Sequence, residues 1–194
     1  MPSDPTVLAF DTSAAHCAAA LLLEGQVHTR YEKMEKGQAE RLIPLLQELL
    51  QEHDVAFSEL THIGVGVGPG NFTGIRIAVS AARGMSLALG IPAVGVSGFE
   101  AIMQTSGANV AAIPAPRNMA YVQEMDGAPA QLSREEVPEH AAWPEPLEQV
   151  AAITLIAANA PDDTPVPKPI YVRAADAAPA REAPPIILDD EADV

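Results

Sequence analysis

The 194-residue sequence predicts a mixed α/β fold, on three observations. Short runs of small and β-branched residues alternate with two segments of helical period. Two adjacent runs are joined by a tight Glu24-Gly25 turn, which makes them antiparallel neighbours. The later runs are separated by helices, so their connections are crossovers.

Val7–Phe10 is a short apolar run ending in Asp11-Thr12-Ser13, the pattern of a strand stopping at a polar turn. Ala18–Leu23 and Gln26–Tyr31 follow as the two arms of a hairpin. Leu42, Ile43, Leu46, Leu49 and Leu50 recur at helical spacing and predict a helix over 38–53. His62–Val67 is a further strand and runs into the glycine-rich segment GVGPGNFTG at 66–74. A second helix spans about Thr73 to Leu89, closed by Gly90 with Pro92 just beyond. Ala93–Val96 is the next strand.

Thirteen of the 18 prolines lie at or after Pro114, so the second half reads as looser and turn-rich. A lobe boundary is placed near Gly107, with lobes over 1–107 and 108–178. Val110–Ile113 and Ala120–Met125 read as strands, and Pro146–Ala158 as a helix or a strand–helix mixture. The stretch 179–194 is acidic and proline-rich and is expected to be disordered.

Composition bounds the function. Aromatics are only 4% of the chain, so the core must be built from Ala, Val, Leu and Ile. The formal net charge is −15, which disfavours direct binding to nucleic acid or to an anionic membrane. The single Cys17 rules out an internal disulfide framework and fits a reducing cytoplasm. No apolar run reaches about 18 residues, so no membrane span is expected. The start, MPSDPTVLAF, lacks the basic region of a signal peptide.

The glycine-rich loop is the loudest chemical signal. A strand, clustered glycines and a helix N-terminus together suit an anion, which makes Gly68, Gly70, Thr73 and Gly74 candidate nucleotide or anion contacts. Asp11, Thr12 and Ser13 join them, because open α/β sheets place ligand-binding side chains at strand ends. Neither a Walker A loop nor the Rossmann fingerprint fits the spacing. The competing reading is a tight strand-to-helix turn whose glycines only permit close packing. The five histidines show no metal-ligand spacing, and no metal site is expected.

The helix at 38–53 carries an apolar arc wider than its own core needs, and the helix at 73–89 offers small residues along its length. Leu42, Leu45, Leu46 and Leu49, with Ile75, Ala78 and Ala82, are therefore candidate partner-interface residues. The alternative is two helices packed on each other within one domain.

Taken together, VLAFDTSAAHCAAALL, ERLIPLLQELL and GVGVGPGNFTGIRIAVSAARGMSLALGIPAVGVS resemble the TsaB (YeaZ) family nearly continuously over about residues 6–100. Pro169-Ile170-Tyr171-Val172-Arg173 matches the family's C-terminal signature. The resemblance implies the two-lobe fold of actin, Hsp70 and sugar kinases (the ASKHA fold), with a reduced second lobe. It also implies a non-catalytic subunit in tRNA threonylcarbamoyladenosine formation, partnered by a TsaD-like catalytic chain and a TsaE-like ATPase. Contact with tRNA would then run through the complex. In TsaD a metal-binding HxxxH follows the strand equivalent to Ala93–Val96, whereas here Gly98 and Ile102 stand at the two positions. No cofactor is expected in the isolated chain, with ADP or ATP admitted at the interface of the complex. An actin-like-fold phosphotransferase, a glycoprotease-type peptidase and a stand-alone homodimer are the alternatives.

Three departures from the family accompany the resemblance. Gln38 replaces a histidine, Pro114-Ala115-Pro116-Arg117 replaces an Asp-Ala-Arg motif, and the chain is shorter between Tyr121 and Pro165.

Overall fold

Strand β1, Val7–Asp11, is buried along its whole length because both faces of its sheet are covered. The computed structural model describes residues 4–161 and 163–172. The expectation for 179–194, and the Arg173 end of the C-terminal signature, lie outside the described residues. β2 (His16–Leu23) and β3 (Gln26–Lys33) extend the sheet antiparallel on one side of β1. β4 (His62–Gly66) and β5 (Ala93–Val96) add to it in parallel on the other, giving the order β3-β2-β1-β4-β5. That mixed sheet is the actin-like arrangement the resemblance implies.

The period-2 alternation along β1 divides the core into two layers. Leu8 and Phe10 face α1 (Gln38–Glu52) and α2 (Phe72–Leu89), in a cluster with Leu42, Leu45, Leu46, Ile75 and Ala78. Val7 and Ala9 face the opposite way, against Val150, Ile153 and Ala157 of α4 (Pro146–Ala158). The small side chains of β2, Ala18 and Ala20, let α4 lie close on that face.

A second, antiparallel sheet is formed by β6 (Val110–Ala115), β7 (Met119–Glu124) and β8 (Ala130–Ser133). Helix α3 (Gly98–Ser106) packs Phe99 and Ile102 against Ala111 and Ile113 of β6. Neither α3 nor β8 was expected. α3 carries a short local signal, since the Ser97 hydroxyl caps it by accepting from the Glu100 amide at 3.0 Å. β8 is four residues long and has no alternation of its own.

The segment 146–158 is wholly helical, and it covers the back of the first sheet. A boundary at 107 therefore separates the two sheets but assigns α4 to the wrong layer. The reason is packing: β1 and β4 are apolar on both faces, and α4 supplies most of the helical cover of the second one, with Ala101 of α3 beside it.

Candidate functional site

The turn after β1 and the loop after β4 meet at the C-terminal ends of two parallel strands. The Asn71 amide donates to the Ser13 carbonyl at 2.6 Å, and the Thr12 hydroxyl donates to the Gly74 carbonyl at 2.7 Å. The glycines make this approach physical. A Cβ on Gly66 would lie 2.6 Å from the Asp11 carboxylate, and one on Gly70 or Gly74 would strike the carbonyls of Ser13 or Thr12. Gly68 adopts φ 94°, and the Gly68–Pro69 peptide is cis.

Asp11, Thr12, Ser13, Gly68, Gly70, Thr73 and Gly74 are thus brought together as the sequence suggests, but their polar groups are largely committed to each other. The Asp11 carboxylate accepts from the Ser13 amide at 3.0 Å and from its hydroxyl at 2.7 Å, a side-chain-closed turn. The Asn71 carboxamide accepts from the Gly74 amide at 2.9 Å, occupying a helix N-terminal donor that an anion would need. Thr73 alone of the seven is well exposed.

His16 lies beside this turn, its Nε2 4.0 Å from the Asp11 carboxylate and its ring tilted on Tyr31. Burial draws the His16 pKa below its ordinary value, outweighing the opposite pull of Asp11. The imidazole is therefore neutral near pH 7. Beyond it opens a cavity of about 430 Å³ between the glycine loop and the second sheet. His16, Gln38, Pro69, Ile113, Tyr121 and Gln149 are among its lining residues.

The two positions corresponding to the TsaD histidines are both in the interior. Ile102 belongs to the α3–β6 cluster, and a Cβ on Gly98 would meet Ile113 at 2.7 Å and the Gln149 amide nitrogen at 3.2 Å. Neither residue can ligate a metal. Among the described residues, no three His, Cys, Asp or Glu side chains cluster to hold one.

The proposed interface set needs correction. Leu42, Leu45, Leu46, Leu49, Ile75, Ala78 and Ala82 are each at most 2% exposed. Their apolar arc is wide because α1 packs against the sheet and against α2 at once. The outward surface of the two helices is instead made by Ala39, Ile43, Phe72, Arg76, Ile77 and Ser80, around a shallow groove. Phe72 is stacked on Tyr171 at 5.0 Å, with the Arg76 guanidinium 3.8 Å from the Phe72 ring. The Arg76 Nε also donates to the Tyr171 hydroxyl at 3.1 Å. Sequence reasoning missed this cluster, although the i, i+4 spacing of Ala39–Ile43 and Phe72–Arg76 carries a signal for it.

Comparisons with known proteins place this geometry. A family model described as TsaD, tRNA N6-adenosine threonylcarbamoyltransferase, matches residues 24–129. The tRNA threonylcarbamoyladenosine biosynthesis protein TsaB of Escherichia coli (strain K12) is 33% identical over 91 residues, which cover 47% of this chain and 39% of that protein. The protein of the same name from Bacillus subtilis (strain 168) is 38% identical over 98 residues, covering 50% and 43%. The chain thus spans about half or less of the length of these curated relatives. The solved structure of YeaZ from Pseudomonas aeruginosa superposes with a TM-score of 0.65 at 30% identity, covering 79% of this chain and 92% of that one.

Proposed function

Because this chain belongs to the TsaB (YeaZ) branch of the TsaD family, we propose that it is a non-catalytic subunit of a cytoplasmic assembly that forms threonylcarbamoyladenosine on tRNA. Its role is to dock a TsaD-like catalytic chain on the outward groove of α1 and α2. The observation that carries this reading is the pair of exposed apolar side chains that face this groove from the two helices, Ile43 at 39% and Phe72 at 40%. Singly exposed apolar residues are ordinary, but two that face one groove from adjacent helices suit a helical partner. Small residues between them, Ala39 and Ser80, allow a close approach of a second helix pair. The non-catalytic role is supported by Gly98 and Ile102, whose side chains offer no metal ligand. The charge of −15 favours tRNA contact through the partner, and a TsaE-like ATPase would join the same complex.

The experiment is co-elution with the TsaD homologue from the same cell. Ile43→Asp and Phe72→Asp should each abolish a one-to-one complex while the variants remain folded. Wild-type binding by both variants, or a closed homodimer that excludes the homologue, would overturn the reading.

A further inference from the structure

Two buried polar side chains in the cleft beside the glycine loop have no hydrogen-bond partner within the described chain. Gln149, from α4, is 8% exposed, and His16, from β2, is 7% exposed. Neither side chain donates to or accepts from a described residue. The Asp11 carboxylate lies 4.0 Å from the His16 Nε2, beyond hydrogen-bond length, and accepts from Ser13. The polar atoms of neither side chain are sealed from solvent, so a molecule entering the cleft can reach both.

Both side chains line the same cavity of about 430 Å³, inside the range typical of small-molecule sites. Pro69, Pro116, Pro144 and Tyr121 are among its other lining residues. No lysine or arginine is among its described lining residues, and Glu35 stands at the rim. A polyphosphate would meet a carboxylate there and no cation.

We propose that this cleft binds a flat, uncharged amide, a ring or carboxamide that presents adjacent N–H and C=O groups along one edge. The Gln149 carboxamide is self-complementary to that edge, donating through Nε2 and accepting through Oε1. The proline and tyrosine side chains among the lining residues offer such a molecule apolar surface, and the imidazole of His16 offers one further hydrogen bond. Low local dielectric raises the value of each bond made there. The site is separate from the α1–α2 groove and does not depend on a partner chain.

The test uses the full-length chain, with uracil and nicotinamide as probes and magnesium-ATP as the comparison. Binding is followed by NMR of the side-chain amide groups. Both probes should bind saturably, shift the Gln149 NH₂ signals and remain undisplaced by ATP. Gln149→Met keeps the length and removes the amide, and should weaken binding by about tenfold at an unchanged melting temperature. Absence of saturation up to about 10 mM overturns the proposal. So does equal binding by Gln149→Met, or displacement of the probe by ATP. Should that variant not fold, the wild-type Gln149 signals decide: a shift on titration supports the site, and an unmoved pair of signals overturns it.

Discussion

Thr12 and Gly74, 62 positions apart, are joined by a buried 2.7 Å hydrogen bond from the threonine hydroxyl to the glycine carbonyl. The bond clamps the first turn of α2 onto the end of β1. It requires position 74 to carry no side chain, since a Cβ there would strike the Thr12 carbonyl. Gly74→Ala should therefore cost about 3 kcal/mol or more, because the obstruction is backbone and cannot rotate away. Gly84→Ala, in the same helix with open space around it, should stabilise by about 0.5–1 kcal/mol. Thermal unfolding of the two variants checks both signs, and equal effects would contradict the clamp.

A second pair of substitutions separates core from surface on α1. Leu45 is fully buried, whereas Ile43 is 39% exposed. Leu45→Asp would place a carboxylate among Leu8, Phe10 and their neighbours, and should abolish the cooperative thermal transition. Ile43→Asp should keep the melting temperature within about 2 °C of wild type. Circular dichroism melts distinguish the two outcomes.

Arg41 ties α1 to β3. Its guanidinium donates to both Glu32 oxygens, at 2.7 and 2.6 Å, and to both Glu48 oxygens at the same two distances. These bonds hold both glutamates below the usual carboxylate pKa. Carboxylates depressed in the folded state contribute stability above their unfolded pKa and lose it as the pH falls through the folded value. The stability gap between wild type and Arg41→Met should thus be fully present at pH 7. It should close as the pH drops below about 4.3, and shrink with added salt. Melting temperatures across that range provide the measurement, and a gap that widens with acid would refute the assignment.

Cys17 is wholly buried on β2, its sulfur 3.6 Å from the Met34 sulfur. Burial pushes the thiol up to about 11, with the Glu32 carboxylate adding to the shift. The thiolate is the reactive form, so at about pH 8 a disulfide reagent should modify Cys17 only as fast as the protein opens. Immediate stoichiometric labelling of the native chain would show that β2 is not packed as described.

The elements whose signals are local were legible in the sequence. The helical recurrence of Leu42, Leu46, Leu49 and Leu50 marks α1, the Glu24-Gly25 turn marks the hairpin, and the glycine run marks the junction of β4 with α2. The family motifs lie in this same stretch, which is why the resemblance reaches to about residue 100. Short α3 and β8 escaped because nine and four residues carry too little periodic pattern to register.

What the sequence alone determined is which residues are apolar and at what period, and this specifies a mixed α/β sheet with two crossover helices. Only the tertiary structure decided which face each apolar side chain meets. Leu45 and Ile43 look alike in sequence, yet one is sealed against the sheet and α2 while the other faces outward. The destination of α4 was decided in the same way. Its place behind β1 follows from a sheet apolar on both faces, and that choice carries Gln149 to the cleft beside His16, 133 positions away in the chain. Burial is a property of the assembled layers, so no local pattern encodes it.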